Sequence, residues 1–170
     1  MSKHNPFVAI LMGSDSDLPV MRSTIEVLDK FSITKEVKIT SAHRTPEATK
    51  AYIKDAEARG CAVFIAAAGL AAHLAGAVAA TTTKPVIGVP LDAGPLSGMD
   101  ALLATVQMPG GIPVGTVAIG KAGAKNAAYL AAQILALQDA DLAETITAER
   151  AQMTRDVQKK DAALQEQLAG

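Results

Sequence analysis

Residues 7–19, Phe7-Val8-Ala9-Ile10-Leu11-Met12-Gly13-Ser14-Asp15-Ser16-Asp17-Leu18-Pro19, decide the fold class. The unbroken apolar run from Phe7 to Met12 reads as a strand covered on both faces, the pattern of a parallel sheet. Gly13 to Asp17 is turn-rich, and Pro19 falls in the first turn of a helix, where its missing N–H costs nothing. That helix is expected over about Leu18 to Phe31, with Val20, Ile25 and Leu28 at roughly helical spacing.

The same alternation continues outward. Lys35 to Thr40 alternates like a strand, with Val37 and Ile39 on one side, and Pro46 opens a helix to Arg59 that Gly60 caps. Cys61 to Ala67 reads as a third strand and Val86 to Val89 as a fourth, separated by the loop Ala68-Gly69-Leu70-Ala71-Ala72 and a helix from Leu74 to Thr82. After a Gly- and Pro-rich loop, Asp92 to Gly98, come a helix over Met99–Gln107, a strand over Thr116–Ile119 and a helix over Lys125–Leu137. Strands alternating with helices predict an α/β fold, an open parallel sheet with right-handed crossovers. Residues 1–170 are read as a single domain with its core at about 7–138. Ligands in such sheets bind at the carboxyl ends of the strands, where Gly13–Asp17, Ser41–Pro46 and Ala68–His73 all fall.

Composition narrows the function. Apolar residues make up 49 % of the chain but aromatics only 3 %, so small aliphatic side chains must fill the core. A net charge of -1, with no basic stripe, argues against nucleic acid and anionic membrane as partners. The lone Cys61 sits in an apolar run and reads as a structural thiol in a reducing compartment. No apolar run reaches the roughly 18 residues of a membrane span. Met1 to Pro6 lacks the apolar core of a secretory signal, so a cytoplasmic protein is expected.

The tail from Leu142 to Leu168 is charged and helical in pattern, giving a long C-terminal helix over about 140–168. Its apolar positions, Leu142, Ile146, Met153, Val157, Leu164 and Leu168, repeat every eleven residues. That repeat keeps a narrow stripe on one side of a nearly straight helix. Docking on the chain's own domain is possible, and docking on a neighbouring subunit is the favoured expectation.

The three strand-end motifs carry the chemistry. Gly13 permits a sharp exit from the strand, and Ser14 and Ser16 add hydroxyls beside helix-start N–H groups, a natural seat for phosphate. Asp17 reads either as a helix N-cap or as an acceptor for ribose-like hydroxyls. Arg44 offers a two-pronged donor suited to phosphate, and Ser41 another hydroxyl, although an arginine beside a helix start is often merely solvated. His43 lies beside them, and an imidazole ordinarily exchanges its proton near neutrality. The catalytic reading of His43 outweighs a helix-entry histidine bonded to backbone. The small residues Ala68 and Gly69 would let backbone N–H groups approach a carboxylate or carbon dioxide, with His73 either a substrate ligand or a structural histidine. Neither a zinc ligand set nor a Gly-x-Ser-x-Gly nucleophile elbow occurs, nor a Walker or dinucleotide glycine motif. Acid–base chemistry on an anionic ligand survives.

Gly13–Asp17, Ser41–Pro46, Ala71-Ala72-His73-Leu74, Val106–Val114 and Ala118-Ile119-Gly120 occur in that order, and the chain resembles the class I N5-carboxyaminoimidazole ribonucleotide mutases of purine biosynthesis from about Val8 to Leu137. The resemblance implies a flavodoxin-like three-layer α/β/α sandwich with a five-stranded parallel sheet, assembled as a homo-octamer with sites at subunit junctions. It implies an isomerase that moves a carboxyl group within a small ribonucleotide, through trapped carbon dioxide, with no metal or other cofactor. On the matching motifs it implies that His43 is the general acid and then the base. Ser14, Ser41 and Arg44 would lie on the phosphate side, Asp17 on the ribose, and Ala68, Gly69 and His73 around the migrating carboxyl, with Ser16 a further substrate-binding position. The related class II carboxylases, which use free carbon dioxide, are the alternative; they typically carry lysine at the position of Arg44 and lack the His73 motif. Where many members have consecutive glycines, this chain has Ala67 and Leu70.

Overall fold

The computed structural model describes residues 6–169; the stretch before Pro6, read above for a secretory signal, lies outside them. The elements are β1 (Phe7–Met12), a 3-10 turn (Asp15–Asp17), α1 (Leu18–Lys30), β2 (Lys35–Ile39), α2 (Pro46–Ala58) and β3 (Cys61–Gly69). They continue with α3 (Leu74–Ala79), β4 (Val86–Leu91), α4 (Met99–Val106), β5 (Gly115–Thr116), α5 (Gly120–Ala136) and α6 (Ala140–Ala169). All strand pairs are parallel, in the order β2-β1-β3-β4-β5. This is the flavodoxin-like winding, whose switch point lies where β1 borders β3.

Strand periodicity explains why the sheet needs cover on both sides. Val8, Ile10 and Met12 of β1, with Val63 and Ile65 of β3, point into one core with Met21 and Leu28 of α1 and the alanines of α5. Phe7, Ala9 and Leu11, with Phe64 and Ala66, point the other way against Ile53 of α2 and Leu74 and Val78 of α3. Each large aliphatic side chain fully buried in this way contributes about 1.5–3 kcal/mol. Ala124, Ala127, Ala128, Ala131 and Ala132 of α5 are wholly buried, and their methyls bring the helix backbone close to the sheet. Thr24 Oγ1 donates to the Ala124 carbonyl at 2.7 Å, locking α1 to α5 through a buried hydrogen bond.

Some boundaries differ from the sequence expectation. β3 runs on through Ala68 and Gly69, and β4 through Leu91, because the two strands pair with each other to their ends. β5 is Gly115–Thr116 rather than Thr116–Ile119; beyond it only the Val117 N–H still reaches Gly88 O, at 3.1 Å. α5 starts at Gly120, five residues before Lys125: Gly120 turns the chain at φ 72°, and Gly123 lets the helix pass close to the Ala118 backbone. α3 stops at Ala79, short of Thr82. In edge strand β2, Val37 and Ile39 share a face that stays exposed in this chain.

The C-terminal helix divides in two. Leu142 is buried and Ile146 packs against the core, while Glu149 accepts from Tyr129 Oη at 3.3 Å and pairs with Lys30 at 2.5 Å. From Ala151 onward every described residue is exposed, so the first part docks on its own domain and the rest projects. Among the described residues, no helix is long and apolar enough to cross a membrane. Cys61 is buried at the foot of β3, and desolvation pushes its thiol up to about 11, which fits the structural reading.

Candidate active site

A cleft of about 570 Å³ opens over the carboxyl ends of β1, β2 and β3. Ser14, Ser16, Asp17, Ser41, His43, Arg44, Ala68, Gly69 and His73 all line it, so every residue singled out from the motifs meets in one place. Ala42, Leu70, Ala71, Leu74 and Ala93 complete the wall. Ala93 had no signal in the sequence, because it reaches the cleft from the loop after β4.

The turn after β1 is built as a capping box. Ser14 Oγ accepts from the Ser16 N–H at 3.3 Å, and Asp17 Oδ2 accepts from the Ser14 N–H at 3.0 Å. Asp17 stands at the N-cap position of α1 but makes no cap bond to that helix. Its carboxylate turns back into the loop, which separates it from the simple capping reading. Burial raises its pKa, outweighing the lowering by hydrogen bonds from the Ser14 and Gly13 backbone. A carboxyl whose folded pKa is raised stabilises the fold most when protonated, and the stability falls as pH climbs from the ordinary value of about 4. Asp17→Asn keeps an acceptor for Ser14 but cannot ionise. Its Tm relative to wild type is therefore expected to improve as pH rises from about 3 towards neutrality. A difference independent of pH in calorimetry would contradict this.

Hydroxyls hold the turn after β2. The Thr40 N–H donates to the Met12 carbonyl at 2.9 Å, tying that turn to β1. Thr45 Oγ1 accepts from the Ser41 N–H at 2.9 Å, and Ser41 Oγ accepts from the Arg44 N–H at 3.1 Å. Thr40 and Thr49 hydroxyls meet at 2.6 Å beneath. These threonines escaped the sequence reading, though hydroxyls flanking a helix-opening proline were the available signal. Arg44 Nη2 reaches the Gly13 carbonyl at 3.5 Å, the limit of a hydrogen bond, so its guanidinium spans the first and second loops.

The exit from β3 brings the second histidine across. Leu70 adopts φ 55°, a left-handed conformation costing about 1–2 kcal/mol for a residue with a Cβ. Two tight turns follow, the Ala72 N–H donating to Leu70 O at 2.9 Å and the His73 N–H to Ala71 O at 2.8 Å. His73 thereby stands just before α3, with its Nδ1 2.7 Å from His43 Nε2 and the rings edge to face at 4.8 Å. A hydrogen bond between two ring nitrogens requires one of them to be bare. While it persists, one ring nitrogen donates and the other accepts. The cleft thus offers a pair of imidazoles, an arginine, several hydroxyls and a largely buried carboxyl group.

The chain is similar to known proteins over most of its length. The family described as AIRC: AIR carboxylase matches residues 7–156. The N5-carboxyaminoimidazole ribonucleotide mutase of Pyrococcus horikoshii is 49 % identical over 166 residues, covering 98 % of this chain and 93 % of that one. That of Thermotoga maritima is 52 % identical over 155 residues, covering 91 % and 90 %. The crystal structure of Treponema denticola PurE superposes with a TM-score of 0.85 at 31 % identity, over 94 % of this chain and 98 % of that one. With the cleft residues inside the matched span and half the sequence shared with such relatives over nearly its whole length, the chain belongs to the AIR carboxylase family.

Proposed function

We propose that the protein is an N5-carboxyaminoimidazole ribonucleotide mutase, converting its substrate to 4-carboxy-5-aminoimidazole ribonucleotide in purine biosynthesis. The observation that carries the reading is the His43–His73 pair, set in a cleft that Ser14, Ser41 and Arg44 also line. Relatives named as this mutase, at about half identity, support it. Arg44 and the three serines receive the phosphate, and Asp17 accepts from the ribose hydroxyls.

His43, as imidazolium, protonates the carbamate nitrogen while the N–C bond breaks, its electron pair staying on nitrogen and carbon dioxide departing. Ring carbon 4 then attacks the carbon dioxide. The neutral imidazole removes the proton from carbon 4, which restores the aromatic ring and recharges His43. No net proton is consumed. These steps are proton transfer and carboxyl migration, so they call for no redox, phosphoryl or metal chemistry. His73 Nδ1 orients the His43 ring through their 2.7 Å contact. Ala68 and Gly69 border the migrating carboxyl.

The test supplies purified protein with the N5-carboxylated ribonucleotide at low bicarbonate, and in parallel with aminoimidazole ribonucleotide plus bicarbonate. Turnover of the first is expected. Efficient turnover of the second alone would replace the reading by a carboxylase that uses free carbon dioxide.

The working protein is a cytoplasmic homo-octamer, with the projecting part of α6 seated on a neighbouring subunit. Exposed Met153, Val157, Leu164 and Leu168 in that part support the reading. A chain ending at Gln152 keeps Leu142, Ile146 and Glu149, so its own core is expected to survive. Light scattering should show fewer subunits per assembly, and an unchanged subunit number would remove the projecting part of α6 from the interface.

A further inference from the structure

We propose that Leu70 is the residue that retains carbon dioxide in the cleft between the two halves of the reaction, an apolar stopper locked by the loop after β4. The inference rests on the mutase reading. Carbon dioxide carries no net charge and accepts hydrogen bonds poorly, so the arginine and hydroxyls that grip a ribonucleotide have little hold on it. A wall that blocks its path and keeps water out does the work instead.

Leu70 is placed to be that wall. Of the two aliphatic side chains larger than alanine that line the cleft, Leu74 is 2 % exposed and spent on the core, whereas Leu70 is 51 % exposed. It stands between Gly69 and His73, at the end of the cleft assigned to the carboxyl group. Its left-handed backbone is costly for leucine, and such a conformation persists only where the surroundings over-determine it.

The surroundings do so at two successive positions. A Cβ on Gly94 would come within 2.4 Å of Leu70 Cδ2, so the missing side chain of Gly94 is the notch that receives the leucine. A Cβ on Gly69 would come within 2.4 Å of Ala93 Cβ, so there the fit is reversed. Gly69 yields to Ala93, and Leu70 fills the space above Gly94. This double interlock holds the isobutyl group at one place, with one side on the loop and the other facing the cleft.

The experiment follows the fate of the carboxyl group. Wild type, Leu70→Ala, Leu70→Gly and Leu70→Met are each given the N5-carboxylated ribonucleotide in carbon dioxide-depleted buffer. The ratio of released aminoimidazole ribonucleotide to 4-carboxylated product is measured, with the enzyme-free background subtracted. Loss of carbon dioxide leaves the protonated aminoimidazole to dissociate, so the ratio counts escapes per recapture and does not depend on how much protein is folded. Leu70→Ala, which keeps the backbone strain and loses the stopper, should raise the ratio several-fold. Leu70→Gly, which relieves the strain and also loses the stopper, should do the same, and it decides the question if the alanine variant accumulates poorly. Leu70→Met, which keeps apolar bulk, should stay near wild type. A wild-type ratio in Leu70→Ala or Leu70→Gly overturns the proposal. If instead wild type fails to turn over the N5-carboxylated substrate, the mutase reading itself has failed.

Discussion

His43→Asn is expected to lower kcat by roughly 10³- to 10⁴-fold, the upper part of what a positioned acid–base group supplies. The upper part applies because one imidazole serves twice, first protonating the departing carbamate nitrogen and then taking the proton from ring carbon 4. A 10⁴-fold loss corresponds to about 5 kcal/mol of barrier. Asparagine places a polar group where the near ring nitrogen lay, but it cannot exchange a proton at neutral pH. It is also shorter than the imidazole, so it loses the 2.7 Å contact that His43 Nε2 makes with His73 Nδ1. The phosphate and ribose groups, Arg44, the serines and Asp17, are untouched. Equilibrium affinity for the ribonucleotide should therefore change little while single-turnover rates collapse. Near-normal turnover in the variant would end the catalytic assignment of His43, and a parallel loss of affinity would recast it as a binding residue.

The largest expected effect on stability comes from a methyl group. Gly123→Ala would place a Cβ 1.6 Å from the Ala118 carbonyl oxygen and 2.6 Å from its carbon. Both are backbone atoms of the segment between β5 and α5, so no side-chain rotation relieves the clash. The helix cannot retreat either, because Ala124, Ala127 and Ala128 are seated with no exposed surface. Forcing extra volume into such a site costs about 3 kcal/mol or more, at the upper end for overpacking. For a chain of this size that amounts to a Tm drop of roughly 6–12 °C. Differential scanning calorimetry checks it. Gly110→Ala is the control, since nothing lies within 4 Å of a Cβ there, and it should melt close to wild type. Equal melting of the two variants would mean that α5 can shift away from the sheet.

Much of this fold was legible in the chain itself. The run Phe7–Met12 announced a strand covered on both sides, and the structure buries all of it. Pro19 and Pro46 marked helix starts correctly to within a residue, because a residue with no N–H and a fixed φ fits only the first turn. The error at α5 has the opposite origin. Gly120 and Gly123 carry poor helix propensity, so the pattern pointed to a start near Lys125, yet Gly120 opens the helix at φ 72° and Gly123 leaves room for the Ala118 backbone. The expected loop at Ala68-Gly69 failed in a similar way, since pairing with Pro90 and Leu91 of β4 carries β3 two residues further.

The candidate site divides along the same line. Local order along the chain is enough to set the strand-turn-helix rhythm and to assign His43, Arg44 and the serines to the ends of strands, because strand and helix periodicity and proline geometry act over a few residues. Tertiary structure alone brings His73 to 2.7 Å from His43, thirty residues away. It alone seats Leu70 over Gly94. Such contacts join segments distant in sequence, and their distances follow from how β1, β3 and β4 pair and how closely the alanine-faced helix lies on them. No local pattern encodes that sum.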